Sequence, residues 1–234
     1  MDRLKNYQNQ LKGLNPQEIL TWAVGTFGDK VALASSFGVE DQLLTHFASK
    51  IPNFRIFTLD TGRLFQETYD SMQRSMASYN ITYEIYAPDN KELEEMIATK
   101  GPNLFYDSLE NRKLCCKIRK INPLQRVLSG LDAWVTGLRA GQSATRAEVE
   151  PIEWDETNQI YKVNPLFACS EEELWKKVKE EKVVYNRLHD QGFPSIGCAP
   201  CTRAVAEGED IRSGRWWWEA PEHKECGLHN RPVK

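Results

Sequence analysis

The sequence has no long apolar run, no strong excess of charge of either sign and no low-complexity segment. No stretch approaches the roughly 18 apolar residues of a membrane-spanning helix, so no membrane partner is expected. A net charge of -3 over 234 residues gives no general basis for binding nucleic acid. Residues 1–5 lack the apolar core of a secretion signal, and we therefore expect a cytoplasmic protein.

The chain also lacks an internal repeat and any long linker rich in proline, glycine or serine. Separate folded regions joined by a flexible linker are therefore not expected. A length of 234 residues suits one generous domain. We predict one domain over residues 1–210 and a mobile C-terminal tail over residues 211–234.

Short apolar runs alternate with helical patterns. Asn15, Pro16 and Glu18 have the arrangement of a helix start, and this helix is expected to end near Gly28. Ser170 and Glu173 form the capping box of a later helix. Predicted strands cover residues 31–34, 54–59, 81–86 and 133–138, with an edge strand near 159–163, and further helices cover 64–79 and 91–99. This alternation favours right-handed crossovers, so we predict an α/β fold: a mostly parallel twisted sheet with flanking helices.

Three polar turns follow predicted strands and are expected at one edge of the sheet, where open parallel sheets bind ligands. The first contains Ser35, Ser36, Phe37 and Gly38, the second Asp60, Thr61, Gly62 and Arg63, and the third Gly137, Arg139 and Arg146. The first turn offers hydroxyls, N–H groups and a helix N-terminus to a phosphate or sulfate. The second turn can bind ribose and phosphate, and the arginines of the third turn suit an anion. Each one taken alone can also be an ordinary turn.

Six cysteines stand at positions 115, 116, 169, 198, 201 and 226. Because cytoplasmic thiols are kept reduced, ligands or nucleophiles are expected rather than disulfides. Adjacent cysteines such as Cys115 and Cys116 chelate a single ion poorly, whereas an iron–sulfur cube offers each of them a separate iron. We therefore favour a cluster held by this pair and by Cys198 and Cys201. The alternative is two buried thiols and a structural zinc elsewhere.

Cys226 lies near the C-terminus, close to His223, Lys224 and His229. Positive groups of this kind favour a nucleophilic thiolate, but a spare cysteine in a tail explains the same pattern, and both interpretations stay open. Cys169 is interpreted as a small buried hydrophobe.

Trp216, Trp217 and Trp218 are interpreted as a packing and docking surface. Arg212 and Arg215 precede them and are expected to reach an anion in the active site when the tail closes. His46 and His189 are interpreted as structural or surface residues.

Taken in order, these segments resemble the assimilatory adenylyl-sulfate and phosphoadenylyl-sulfate reductases. The resemblance is closest to the cluster-bearing, thioredoxin-dependent adenylyl-sulfate branch, and it extends from about residue 32 to residue 229. The segments that carry it are 35–41 (SSFGVED), 59–64 (LDTGRL), 115–120 (CCKIRK), 136–139 (TGLR), 194–201 (PSIGCAPC), 214–219 (GRWWWE) and 224–229 (KECGLH).

The resemblance implies one [4Fe–4S] cluster per chain, ligated by Cys115, Cys116, Cys198 and Cys201. It implies that Cys226 is the nucleophile and that Lys120 bridges the field of the cluster and the phosphosulfate of the substrate. Substrate binding is expected from Ser35, Ser36, Phe37, Gly38, Asp60, Gly62, Arg63, Gly137, Arg139, Arg146, Arg212, Arg215 and His229. The implied fold is adenine nucleotide alpha-hydrolase-like and related to the ATP pyrophosphatases.

The implied reaction is the reduction of adenosine 5'-phosphosulfate to sulfite and AMP. Cys226 attacks the sulfur, AMP leaves, and thioredoxin then releases sulfite from the S-sulfocysteine. A homo-oligomer is compatible with the family.

Three alternatives remain. A phosphoadenylyl-sulfate reductase, or an enzyme that accepts both substrates, would perform the same chemistry, but enzymes of that branch usually lack the cluster cysteines. A tRNA-thiolating ATP pyrophosphatase would need a strongly basic surface. A nucleotide-binding module with a structural zinc would be colourless and indifferent to Cys226.

Overall fold

The computed structural model describes residues 2–140, 149–206, 208–220, 223, 224 and 228. Within these residues the sheet contains β1 (Val31–Ala34), β2 (Arg55–Leu59), β3 (Glu84–Tyr86), β4 (Ala133–Val135), β5 (Ile152–Asp155) and β6 (Ile160–Val163). The strand order is β3-β2-β1-β4-β6-β5. Every pairing among β1, β2, β3, β4 and β6 is parallel, whereas β5 runs antiparallel to β6. The predicted mostly parallel sheet is therefore confirmed.

Helices flank this sheet. Their bounds are α1 (Asp2–Gln10), α2 (Pro16–Phe27), α3 (Val39–Ala48), α4 (Gln66–Tyr79), α5 (Asn90–Lys100), α6 (Leu109–Cys116), α7 (Asn122–Leu128) and α8 (Glu171–Glu180). A π-helical turn (Lys117–Ile121) joins α6 to α7, so the first cysteine pair and Lys120 lie on one continuous helical stretch.

The predicted helix starts are confirmed by their capping bonds. The Asn15 side chain accepts hydrogen bonds from the N–H groups of Gln17 and Glu18, and the Glu18 carboxylate accepts one from Asn15. Ser170 and Glu173 make the same reciprocal contacts at the start of α8. Helix α2 ends at Phe27, and Gly28 follows with a φ of +60°, a conformation that glycine adopts at little cost.

Two strands are shorter than predicted. The N–H of Ile81 bonds to the Met76 carbonyl and closes helix α4, so β3 begins only at Glu84. Strand β4 ends at Val135 rather than at residue 138. There the Thr136 hydroxyl bonds to Asn164, and the chain leaves the ladder.

The predicted edge strand is wrong in its position. Ile160–Val163 pairs with β4 on one side and with β5 on the other, so it lies inside the sheet. The edge strand on this side of the sheet is β5, which the sequence pattern did not predict. Because β5 and β6 form a hairpin, their order in the sheet depends on tertiary pairing rather than on apolar pattern.

The apolar run of β1 is buried on both faces of the sheet. Leu33 belongs to a core built with α2, α3 and α8, and Ala32 to a second core built with α7. A third apolar cluster contains Phe105, Trp216 and both cysteine pairs. The site cysteines are therefore packed apart from the main cores.

The described part of the tail contacts the domain. Thr202 and Arg215 form an isolated antiparallel bridge, and the Trp216 N–H bonds to the Cys201 carbonyl. The predicted mobility of the tail falls partly on residues 221, 222, 225–227 and 229–234, which lie outside the described residues. Among the residues that are described, no helix has both the length and the apolar character needed to cross a bilayer.

Candidate active site

A cavity of about 740 Å³ opens at the carboxyl ends of β1, β2 and β4. Its volume suits a nucleotide-sized ligand. Its lining includes Ser35 to Asp41, Phe57 to Leu59, Thr61, Lys120, Thr136 to Arg139, Arg212, Arg215 and Leu228. The predicted meeting of polar turns at one sheet edge is thus observed for the described residues of the first and third turns and for Thr61 of the second.

The first turn is fixed by the helix that follows it. The Asp41 carboxylate accepts hydrogen bonds from the Ser36 N–H at 2.7 Å and from the Ser36 hydroxyl at 2.6 Å. Gly38 is the N-cap of α3, so the turn meets a helix N-terminus. The Phe37 side chain is fully buried and packs against Tyr83 at 5.1 Å between ring centroids, so it belongs to the main core as well as to the cavity lining.

Two neighbouring carboxylates hold the third turn against the first. Glu40 pairs with Arg139 at 2.9 Å, and Asp41 accepts a hydrogen bond from the N–H of Gly137. A Cβ atom at Gly137 would collide with the Asp41 carboxylate. Burial raises the pKa of Asp41 to about 6, although its hydrogen bonds with Ser36 oppose that rise.

Of the second turn, which is predicted to bind ribose and phosphate, Thr61 lines the large cavity. Asp60 and Arg63 are not part of the lining of the large cavity. Asp60 accepts hydrogen bonds from the Gly62 N–H and from the Tyr69 hydroxyl, both at 2.8 Å. The Arg63 side chain points instead to Asn103 and lies over the Phe105 ring.

Burial, with the hydrogen bond to Asp60, raises the pKa of Tyr69 to about 12. The phenol therefore stays a neutral donor, and Asp60 closes its own turn. Asp60, Gly62 and Arg63 do not line the large cavity, and their predicted contact with the substrate stays a prediction.

A second, small cavity of about 20 Å³ lies between the cysteines. Its lining consists of Cys115, Cys116, Cys198, Cys201, Pro200, Phe105, Trp216, Arg63, Arg112, Arg119, Lys120 and Arg215. Five cationic side chains therefore surround four thiols. Thiolate anions in such a place gain both charge compensation and hydrogen bonds.

The thiols differ in acidity. Burial raises the pKa of Cys198, but the positive charge of Lys120 and a hydrogen bond from Thr61 outweigh it, so the pKa is lowered. Burial and the charges of neighbouring cysteines raise the pKa of Cys201 to about 12. The Thr61 hydroxyl lies 3.3 Å from the Cys198 sulfur, a contact that the sequence reasoning missed.

The four thiols line one small cavity together with the cationic side chains. Within the described ranges, no group of three or more His, Cys, Asp or Glu side chains is arranged to hold a metal ion. A cluster presents separate irons, so adjacent cysteines such as Cys115 and Cys116 can each bind a different one. The donor set and its cationic surroundings thus fit a cysteine-ligated iron–sulfur cluster.

The two cavities share one wall, formed by Lys120, Arg215 and Trp216. The Arg215 guanidinium lies over the Trp216 ring at 4.7 Å and against the backbone of Gly197, where a Cβ atom would overlap it. Arg212 borders the large cavity and donates to the Lys224 carbonyl at 2.8 Å. The shared wall places cations between the nucleotide-sized cavity and the thiols.

Several predicted residues are not placed here. Cys226, Arg146 and His229 lie outside the described residues. Cys169 is half-buried rather than fully buried, although it packs against the main core, because it precedes the exposed start of α8. His189, to which no role was assigned, borders the large cavity, and burial lowers its pKa.

Arg112 was also missed. It lies three residues before Cys115 and four before Cys116, and this spacing puts it on the same face of α6. This spacing is the feature of the sequence from which a position of Arg112 beside the cysteines could have been predicted.

Comparison with known proteins agrees with this geometry. The model of the phosphoadenosine phosphosulfate reductase domain matches residues 30–204. An adenosine 5'-phosphosulfate reductase of Allochromatium vinosum is 51% identical over 205 residues, which are 87% of this chain and 80% of that protein. One from Sinorhizobium fredii is 41% identical over 226 residues, 96% of this chain and 90% of that protein.

Solved structures support the fold. A phosphoadenylyl-sulfate reductase from Candida auris, in a phosphate complex, has a TM-score of 0.76 and 30% identity and covers 88% of this chain and 97% of its own. An FMN adenylyltransferase from Candida glabrata, 14% identical with a TM-score of 0.54, covers 96% of this chain and 75% of its own and shares the fold alone. The adenine nucleotide alpha-hydrolase-like fold is as predicted. Because the family model spans most of the sheet and both cysteine pairs, and relatives align over most of both chains, this chain belongs to the phosphoadenosine phosphosulfate reductase family.

Proposed function

We propose that this chain reduces adenosine 5'-phosphosulfate to sulfite and AMP, the substrate being the one in the names of its relatives. The observation that carries the proposal is the shared wall: Lys120 and Arg215 border both the large cavity and the cavity between the cysteines. Cations there can face an anionic substrate on one side and an anionic centre on the other.

The large cavity is proposed to hold the nucleotide. Phe57 and Leu59 supply an apolar wall for the base, and the turn at residues 35–38 offers N–H groups and a helix N-terminus to the phosphosulfate. Arg212 adds a cation at the same cavity. Arg146 and His229 complete the proposed binding set by family resemblance.

The four thiols of the small cavity are proposed to hold one [4Fe–4S] cluster per chain. When bound, the cluster supplies fixed negative charge behind Lys120 and ties together the segments that carry its ligands. The electrons for the reaction come from thiols. The chain's own residues therefore bind the substrate, compensate its negative charge and position it for attack.

In the proposed reaction, the Cys226 thiolate attacks the sulfur of the substrate. A bond forms between the two sulfur atoms, the bond between sulfur and the bridging phosphate oxygen breaks, and AMP leaves with that electron pair. Attack by one anion on another is slow unless charge is compensated, and Lys120, Arg212 and Arg215 are the described cations that can do so.

A dithiol partner, thioredoxin, is proposed to complete the cycle. One of its thiolates attacks the Cys226 sulfur and expels sulfite, and its second thiol resolves the mixed disulfide. Two electrons pass from the dithiol to the sulfate sulfur. The proposed compartment is the cytoplasm, because the cysteines must remain reduced.

A second substrate is favoured by one observation: the Candida auris neighbour acts on phosphoadenylyl sulfate according to its name and shares the fold closely. The test measures anaerobic sulfite release with reduced thioredoxin, offering adenylyl sulfate and phosphoadenylyl sulfate side by side. We expect fast release from adenylyl sulfate alone. Preferred release from the phosphorylated compound would overturn the substrate assignment, and release from neither by cluster-loaded protein would overturn the proposed reaction.

A further inference from the structure

Arg112 lies deep in the protein at the junction of α6 and the C-terminal segment. Its side chain is only 1% exposed, and that of its partner Glu219 is 7% exposed. Nε donates to Glu219 Oε1 at 2.8 Å, and Nη2 donates to Oε2 at 2.7 Å. This two-pronged contact joins residues 107 positions apart in the chain, so it fixes a long-range geometry.

The same guanidinium reaches further along the C-terminal segment. Nη2 also donates to the His223 carbonyl at 2.6 Å. His223 stands three residues before Cys226. Arg112 therefore holds the chain at two points shortly before that cysteine.

The other contacts of Arg112 lead to the site. Its side chain hydrogen-bonds to Cys116, and its guanidinium lies 4.8 Å from the centre of the Trp216 ring. Arg215 lies 4.7 Å from the same ring and borders both cavities. One buried cation thus touches the cysteine cavity, its shared wall and the segment leading to the tail cysteine.

Buried ion pairs of this kind add little net stability compared with a well-packed apolar pair, but they can impose one geometry. We propose that Arg112 is a positioning residue for Cys226: it fixes Glu219 and the His223 carbonyl against α6 and so anchors the chain three residues before the cysteine. The nucleophilic role of Cys226 in this inference rests on the proposed function. The anchoring of the tail by Arg112 does not.

The test compares full-length, cluster-loaded Glu219→Gln with a matched control, Glu84→Gln. Glu84 forms the same two-pronged pair with Arg55, at 2.7 and 2.9 Å, between β2 and β3. In Glu219→Gln we expect alkylation of Cys226 to become about tenfold faster and single-turnover formation of S-sulfocysteine about 10- to 100-fold slower. Binding of AMP and iron content should stay as in wild type. Glu84→Gln should change none of these.

Arg112→Lys separates geometry from charge. Lysine keeps the positive charge but cannot form the bidentate contact with Glu219, so this variant should resemble Glu219→Gln. If it fails to fold, Glu219→Gln carries the test alone. Wild-type alkylation and turnover in Glu219→Gln, or a loss of iron with normal behaviour of the remaining loaded protein, would overturn the positioning role.

The two proposals fail in different ways. If wild type releases no sulfite from adenylyl sulfate but Glu219→Gln still exposes Cys226 to alkylation, the anchor stands and the proposed function falls. If wild type is active and Cys226 is alkylated at the same rate in wild type and in Glu219→Gln, the positioning role of Arg112 is contradicted.

Discussion

At the scale of single residues, Lys120 lies between the large cavity and the cysteines. It borders both cavities, and its charge lowers the pKa of Cys198 against the effect of burial. A cation in this position stabilises charge that moves during sulfur transfer more than charge already present in the bound nucleotide.

Lys120→Ala should therefore slow the single-turnover formation of S-sulfocysteine about 100-fold while changing AMP affinity little. Lys117→Ala is the matched control, because Lys117 lies on the same π-helical turn but is exposed. Rapid-quench kinetics and nucleotide titration measure the two effects. An unchanged transfer rate would remove the assigned role of Lys120.

Cys226→Ser should abolish sulfite release and leave the brown cluster intact, since the proposed nucleophile is not one of the four proposed ligands. Visible absorption and iron analysis check the cluster, and sulfite release checks turnover. A colourless protein would contradict the division between ligand cysteines and the catalytic cysteine.

At the scale of elements, the turns after β1 and β4 depend on each other. Glu40 and Asp41, at the start of α3, bind Arg139 and the N–H of Gly137. A substitution that displaces one of the two turns should therefore displace the other as well.

Gly137→Ala should push these turns apart, because the added Cβ collides with the Asp41 carboxylate. Overpacking of this kind costs about 1–3 kcal/mol, so we expect a rise in KM of at least about fivefold. Gly25→Ala is the control: Gly25 lies within α2 and its Cβ would meet nothing within 4 Å. An unchanged KM in Gly137→Ala would mean that the turn after β4 does not shape the substrate site.

The pH dependence of the free energy of unfolding should reveal the titration of Asp41. Burial lifts its pKa from 3.8 to about 6, so the folded state favours the protonated carboxyl and loses stability as pH rises from 4 towards 6. Asp41→Asn removes this titration. From pH 5 to pH 7.5 the stability of Asp41→Asn relative to wild type should improve by about 1 kcal/mol.

Anaerobic unfolding of both proteins across this pH range measures the difference. Comparing the two proteins cancels the titration of all other groups, and any pH-independent cost of the substitution drops out of the slope. A difference that does not change with pH would contradict the raised pKa.

At the scale of the whole molecule, the cysteine cavity organises a region separate from the sheet. The third apolar cluster joins residues 104–105 and 115–118 to the second cysteine pair and Trp216. The sheet has its own two cores. Loss of the proposed cluster should thus loosen one region and spare the other.

Cys201→Ser should lose iron and become sensitive to proteolysis within residues 104–121 and 195–220, with the far-ultraviolet circular dichroism of the sheet domain retained. Cys169→Ser is the matched control, because Cys169 packs against the main core instead. Iron analysis and mass spectrometry of the fragments check this. Full iron content in Cys201→Ser would exclude Cys201 as a ligand.

Local sequence patterns determined the helix starts at Asn15 and Ser170, the β1 and β2 strands, and the two close cysteine pairs whose role as cluster ligands is predicted. Capping, periodic burial and thiol chemistry act over a few residues, so they are readable without the fold. The wall that Lys120 shares with Arg215, the turning of Arg63 towards the cysteines, the interior position of β6 and the Arg112–Glu219 pair were decided only by the tertiary structure. Each of them depends on residues 20 to more than 100 positions apart meeting in space, and no short-range pattern encodes such a meeting.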